Sequence, residues 1–259
     1  MKKSNLKKLD ILLMIVLPIL AAVISLIWRT NYLTTTLLFF AVPSIWFSVR
    51  TSNKIWRTAL FSILVAIPLG IVLDYLAVKD NAWWSPTIFP GRLFGILPYE
   101  DFIWGFWQVY LVIILYEHFL DKGKHRLAAP HFRYFVYFLI ALLGIFFVLF
   151  FAQPSLLDIP YAYLWIGVVF FLLPVISFVF SFPKLLSKFI KVGGYFLLLH
   201  IIFEFTALEL GNWVFLGKNY IKLINFGSYS VPLEEIVVWW LLCAVGILAW
   251  YEFFDDDQK

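Results

Sequence analysis

Eight long apolar runs constrain this chain more than any other feature. They lie near Ile11–Trp28, Leu33–Val49, Trp56–Leu76, Phe102–Leu120, Phe132–Phe151, Pro160–Phe182, Val192–Leu208 and Ile236–Phe254. Each approaches the roughly 20 apolar residues that a helix needs to cross a bilayer. A soluble fold could not hide them. Of the 259 residues 63% are hydrophobic and only 14% charged, against about 25% charged in soluble domains. Hydrocarbon satisfies no backbone amide, so the runs must be helical. Internal Pro18, Pro43, Pro68 and Pro174 should kink their helices. The expectation is an all-α, polytopic integral membrane protein of about eight transmembrane helices. The first run reads as a retained span: it is too long for a signal peptide, and no small-residue cleavage site precedes polar sequence. The single cysteine, Cys243, lies inside an apolar run and reads as a small buried hydrophobe.

The loops then give orientation. One side carries Lys2, Lys3, Lys7, Lys8, Arg50, Lys54, Arg57, Lys122, Lys124, Arg126, Arg133, Lys184, Lys188, Lys191 and Lys259. The other carries Arg29, Lys79, Arg92, Lys218 and Lys222. Basic residues concentrate in cytoplasmic loops, so both termini are expected in the cytoplasm, with the chain integral to the cell membrane. The two longest connections, Ala77–Leu97 and Glu209–Val231, should face away from the cytoplasm. Their aromatic content suits a position against the membrane surface.

Those connections also reveal a duplication. Asp74 is followed nine residues on by Trp83, and Glu204 nine residues on by Trp213. Each tryptophan leads through a glycine-containing loop to a proline motif, "PYED" at Pro98–Asp101 and "PLEE" at Pro232–Glu235. Each following run ends in Tyr-Glu, at Tyr116-Glu117 and Tyr251-Glu252. The chain therefore reads as two tandem four-helix repeats, residues 1–124 and 125–259. An even number of spans per repeat makes the repeats parallel, related about an axis along the membrane normal.

The acidic residues divide into two groups. Asp121, Glu252, Asp255, Asp256 and Asp257 fall in cytoplasmic loops or helix ends and read as solvated, as do His118, His125 and His131. Asp74, Glu100, Asp101, Glu204, Glu234 and Glu235 fall at the non-cytoplasmic ends of the third, fourth, seventh and eighth runs. If the repeats pack face to face, these six carboxyls converge near one membrane depth. The plain explanation of Pro-x-Glu-Glu is helix capping, with proline in the first turn and carboxylates near the free amides. Capping does not require an acid nine residues before a tryptophan, twice. The chemical explanation is that two acids in a poorly solvated place can hold one proton between them, so that one donates and the other accepts. Trp83, Trp84, Trp104, Trp107, Trp213, Trp239 and Trp240 stand nearby in sequence. Aromatic faces stabilise cations without attacking them, although most of these rings should serve as interfacial belt or packing. Acid, base and aromatic walls in a lipid-accessible setting suit carbocation chemistry on an apolar polyene.

The pattern Asp74…Ala77-Val78…Trp83…Pro98-Tyr99-Glu100-Asp101, repeated as Glu204…Leu208…Gly211…Trp213…Pro232-Leu233-Glu234-Glu235, resembles the lycopene cyclase domain family. That family includes small membrane cyclases working as two subunits and fused forms with both domains in one chain. The resemblance covers both halves and is strongest over 74–119 and 204–254. It implies redox-neutral, acid-catalysed closure of the linear ends of lycopene to beta- or epsilon-type rings. It implies Glu100, Asp101, Glu234 and Glu235 as proton-handling residues, with Asp74 and Glu204 as supporting acids. Trp83 and Trp213, with Trp104 and Trp239, are the implied substrate-facing aromatics. The implied partners are an apolar polyene such as lycopene, the lipid bilayer, and a second copy or other carotenoid-pathway membrane enzymes. The first repeat carries Glu-Asp where the second has Glu-Glu, and Asp74 where the second has Glu204.

Two other classes compete. A non-catalytic lipid- or carotenoid-binding protein, or a transporter, would also use parallel repeats and membrane acids. Against transport, the acids cluster at one interface and leave no charged central pathway. An intramembrane CAAX-type protease also uses adjacent glutamates, but the arginine and later histidines of that pattern are missing here. His200 and Glu204 share a helix face at i, i+4; two ligands are too few for a metal, and a buried hydrogen bond is the simpler reading. No cofactor is expected, since no glycine-rich dinucleotide motif follows a strand. No nucleic-acid signature is present, because topology accounts for the basic loops.

Overall fold

The computed structural model describes residues 3–121 and 132–254. Lys2, Lys122, Lys124, His125, Arg126, His131, Asp255, Asp256, Asp257 and Lys259, read above as loop or terminal groups, lie outside the described residues. Among the described residues, eight helices are long and apolar enough to span a membrane. They are α1 (Leu6–Trp28), α2 (Tyr32–Arg50), α3 (Ser52–Lys79), α4 (Tyr99–Phe119), α5 (Arg133–Ala152), α6 (Ala162–Ser181), α7 (Pro183–Leu210) and α8 (Glu235–Glu252). The chain is thus a helical, polytopic membrane protein. The helices α3 and α7 run further than their apolar cores suggest, because each opens with a short tight turn before the span proper.

Burial orders the helices. Windows of α8, α4 and α2 are 67%, 56% and 56% buried, whereas those of α1 and α5 are 17% buried. The last two therefore turn most of their surface to lipid, and α4 with α8 forms the centre. The interior is aromatic: Phe39, Phe40, Phe47, Phe135, Phe146 and Phe196 are fully enclosed, as are Tyr116 and Tyr163. Rings pack mainly edge to face, as for Phe40 on Phe203 at 4.7 Å, the arrangement the ring quadrupole favours.

Wide π-helical turns interrupt four spans. They cover Leu37–Ala41 in α2, Gly70–Asp74 in α3, Gly167–Leu172 in α6 and Glu235–Leu242 in α8. In α2 and α6 the cause is proline, since Pro43 and Pro174 follow directly and a proline can neither donate to nor clear the carbonyl one turn back. The carbonyl freed by Pro174, that of Phe170, accepts from Trp250 Nε1 at 2.8 Å, which hydrocarbon could not do. In α3 and α8 no proline is close behind. There the wide turn holds an extra residue: Tyr32 to Asp74 is one residue longer than Tyr163 to Glu204, and Pro98 to Tyr116 one shorter than Pro232 to Tyr251.

The connection between α7 and α8 contains a hairpin that the sequence reading did not anticipate. Strands β1 (Leu223–Phe226) and β2 (Tyr229–Pro232) pair antiparallel around Gly227-Ser228. Gly227 takes φ +62°, which a tight hairpin turn demands and glycine supplies without strain.

At the helix ends opposite the two long connections, several groups expected to be solvated are buried instead. Glu252 is 1% exposed and accepts from the Tyr116 hydroxyl; Glu117 accepts from the Tyr251 hydroxyl. Each Tyr-Glu dipeptide thus clasps the other. Lys54 pairs with Glu117 at 3.2 Å, and Lys188 with Asp121 at 3.2 Å. Arg57 lies over the Tyr251 ring and Lys188 over the Tyr116 ring, at 5.4 and 5.3 Å. His118 is likewise not solvated: its Nδ1 lies 2.7 Å from Thr51 Oγ1 and its Nε2 3.0 Å from Asp10. Asp10 also accepts from Trp46 at 3.1 Å and pairs with Arg50 at 3.2 Å. The correction has one physical cause. A group at the end of a span is exposed only if no neighbouring helix reaches past it, and here the neighbours do.

Candidate functional site

The long connections meet at the other end of the bundle. Trp84 and Val214 exchange backbone hydrogen bonds of 2.9 and 2.8 Å, so residues just beyond α3 and α7 pair across the molecule. Beneath this bridge is a partly open cavity. Four acids line it: Asp74 from α3, Asp101 from α4, Glu204 from α7 and Glu235 from α8. Trp83, Trp104, Trp213 and Trp239 line it as well. Of the ten residues singled out by sequence, these eight share one wall, and Glu100 and Glu234 do not.

The reason is local. Consecutive residues on a helix point about 100° apart, so only one acid of each pair can face inward. Glu100 is 1% exposed and turned to the first connection. It accepts from Thr87 Oγ1 at 2.8–2.9 Å and from the Ile88 amide at 2.6 Å. Glu234, 2% exposed, accepts from the Ile221 amide at 2.5 Å. Neither caps its own helix. Pro98 is the residue before α4, and no side chain there bonds a free amide. These glutamates pin the loops over the cavity.

The inward acids meet a different set of partners. Asp101 interacts with the Tyr32 hydroxyl, and its Oδ2 has no hydrogen-bond partner. Asp74 is its acidic neighbour. Glu235 accepts from the Tyr163 hydroxyl, and Glu204 accepts from Trp213 Nε1 at 2.9 Å. Glu204 and Glu235 lie side by side, close enough for one carboxyl to hydrogen-bond the other. Among the described residues none of these four acids forms an ion pair.

The aromatics interlock the two sides. Trp213 meets Tyr32 edge to face at 5.5 Å, and Trp83 meets Tyr163 at 5.2 Å. Trp104 and Trp239 meet each other at 5.4 Å. Phe40 lies against Trp104 at 6.5 Å and Phe171 against Trp239 at 5.5 Å.

Sequence reasoning missed Tyr32 and Tyr163. Their signal is a shared spacing, since each stands eleven residues before a proline, Pro43 and Pro174. His200 was read as holding a buried hydrogen bond. It does, to Gln108 at 2.8 Å, and it lines the cavity. Among the described residues no three His, Cys, Asp or Glu side chains are grouped as a metal site.

Paired carboxyls, phenols and indoles wall this cavity, so its groups can hold and exchange protons beside an apolar interior. Residues 27–119 match the model of the lycopene cyclase family. The match spans α2, α3, the first connection and α4, bearing out the resemblance over that segment, and it supports a carotenoid-cyclase type of enzyme in the membrane. No curated protein and no solved structure matches the chain.

Proposed function

We propose that this protein closes the linear ends of lycopene, or a closely related polyene, into rings by acid catalysis, without change of oxidation state. The observation that carries the reading is the pairing of Asp74 with Asp101 and of Glu204 with Glu235 in one aromatic cavity. A carboxyl there adds a proton to the terminal double bond of the polyene. The tertiary cation that forms is attacked by the next double bond along the chain, and a six-membered ring closes. A neighbouring carboxylate removes a proton from a carbon beside the new cationic centre, which leaves a ring double bond. One proton enters and one leaves, so the product is an isomer. The rings of Trp83, Trp104, Trp213 and Trp239 stabilise the cation through their faces. Tyr32 and Tyr163 orient the acids Asp101 and Glu235, and Glu100 and Glu234 hold the loops that exclude water. Exclusion matters because water would capture the cation.

The two-repeat organisation, 1–124 and 125–259, belongs to the same proposal. It is supported by the reciprocal Tyr-Glu clasp, by the crossed Trp–Tyr contacts, and by one-residue differences that coincide with wide turns. The bias of basic residues supports both termini, and the end carrying Lys54, Arg57 and Lys188, on the cytoplasmic side of a cell membrane. A reporter fused after Lys218 should then be accessible from outside; protection there would reverse the orientation.

The activity test is a pigment extraction. Expressed in a bacterium that accumulates lycopene, the wild type should yield monocyclic or bicyclic carotene, and Glu235→Gln none. Unchanged lycopene with verified membrane expression would remove the cyclase reading and leave a polyene- or lipid-binding role.

A further inference from the structure

A second, partly open cavity adjoins the first. Asp74, Asp101, Trp104 and Trp239 bound both, so one ends where the other begins. Beyond those acids its walls carry no charge: Ala66 and Gly70 of α3, Gly105 of α4, Phe171 of α6, and Ile247 and Trp250 of α8. It follows α3 from Asp74 back to Phe61, which at about 1.5 Å per residue is roughly 20 Å. Small residues line part of it, Ala66 and Gly70 on α3 and Gly105 on α4. A Cβ on Gly105 would already touch Ala66 Cβ at 3.5 Å, so a larger side chain there has only the cavity to enter or α3 to displace.

The matching place beside α7 is occupied. Trp104 and Trp239 face each other, and the residue after each is Gly105 in α4 and Trp240 in α8. Trp240 is 5% exposed and packs on Phe205 and Phe226 at 6.0 and 6.1 Å. Phe196 and His200 of α7 are 0% and 6% exposed. Where the first side leaves a groove, the second fills it with an indole, a phenyl and an imidazole.

We propose that the α3–α4 groove seats the long unreacted chain of the polyene, while its end group lies among the four acids. The occupant is fixed by the chemistry at the groove's mouth. A molecule with its reacting end at Asp74 and Asp101 must continue somewhere apolar, and this groove continues directly from those residues. The groove assignment rests on the polyene reading above but is tested by binding, independently of turnover.

The experiment uses the full chain in lipid nanodiscs, with quenching of tryptophan fluorescence by lycopene and by a short polyene bearing the same acyclic end. Gly105→Phe, which places a ring in the groove, should weaken lycopene binding by about tenfold or more while leaving the short polyene within about twofold. Ala66→Leu is the second variant, should Gly105→Phe not insert, and should act in the same direction. Lycopene binding equal to wild type in either inserted variant would overturn the assignment. So would parallel loss of both ligands, which marks general damage. A wild type that binds lycopene by this pattern yet forms no ring would sink the proposed reaction and leave the groove intact.

Discussion

The two ends of this bundle both bury acids, and they do so in opposite ways. At the end bearing the Tyr-Glu clasp, Glu117 meets Lys54, Asp121 meets Lys188, and Asp10 meets Arg50 and His118, while Glu252 meets the Tyr116 hydroxyl, which Lys188 also reaches at 3.2 Å. At the cavity end, Asp74, Asp101, Glu204 and Glu235 meet hydroxyls, an indole and one another, next to open volume. Removing an acid from water is costly unless a partner compensates. Where cations compensate, the acid ties helices together and has no proton to trade. Where neutral donors and a second acid make the contacts, with Arg92 near Asp101 but not paired to it, the arrangement is a poor tie and a good proton store. Burial of acids alone would therefore not distinguish the catalytic end from the structural one; the company they keep does.

The largest effect that sharpens this contrast is expected at the cavity. Asp101→Asn and Glu235→Gln should each lower ring formation by about a hundredfold or more, the scale of a lost acid or base. Thermal unfolding of the same variants should change little, since each removes a buried acid and keeps its shape. A strongly destabilised but active Glu235→Gln would erase the distinction between the two ends.

The opposite pattern is expected for Lys54→Met. It takes the Lys54 cation away from buried Glu117, and breaking a buried pair costs about 3–5 kcal/mol. Lys54 is partly exposed, so the lower figure applies. The melting temperature should fall by several degrees, while turnover per folded molecule stays near that of the wild type.

Between these lies Glu100→Gln. A neutral amide still accepts from the Ile88 amide but more weakly than a carboxylate. Turnover should drop by roughly tenfold, about 1.4 kcal/mol, and limited proteolysis should cut the Ser85–Phe89 stretch faster. Unaltered cleavage with abolished turnover would return Glu100 to the proton chemistry. The smallest effect belongs to Trp213→Phe, which keeps a ring edge to face with Tyr32 but removes the donor to Glu204. A lost hydrogen bond of about 1 kcal/mol corresponds to roughly fivefold in rate, measured on matched membrane preparations.

Much of the architecture was legible because lipid leaves few options. Eight apolar runs gave eight helices, and the acid-to-tryptophan spacing marked Asp74 with Trp83 and Glu204 with Trp213, all of which line the cavity. Helix facing was not legible. Sequence shows that Glu100 and Asp101 are adjacent, but only the start of α4 after Pro98 decides which turns inward. In α8 the wide turn over Glu235–Leu242 shifts facing again, and no proline announces it. Tyr32 and Tyr163 escaped notice because their partners lie on other helices. Glu252 and His118 were taken as solvated for the same reason. The groove beside Gly105 depends on Ala66 and Phe171 from two further helices, so no stretch of sequence contains it.

The central claim is that a proton from the cavity acids becomes part of the product. Purified protein in nanodiscs, given lycopene in heavy water with no added reductant, tests it most directly. Carboxyl protons exchange with solvent, so each ring closed should carry one deuteron, read by mass spectrometry of the carotene. A ring product free of deuterium, formed at full rate, would contradict proton delivery by these acids.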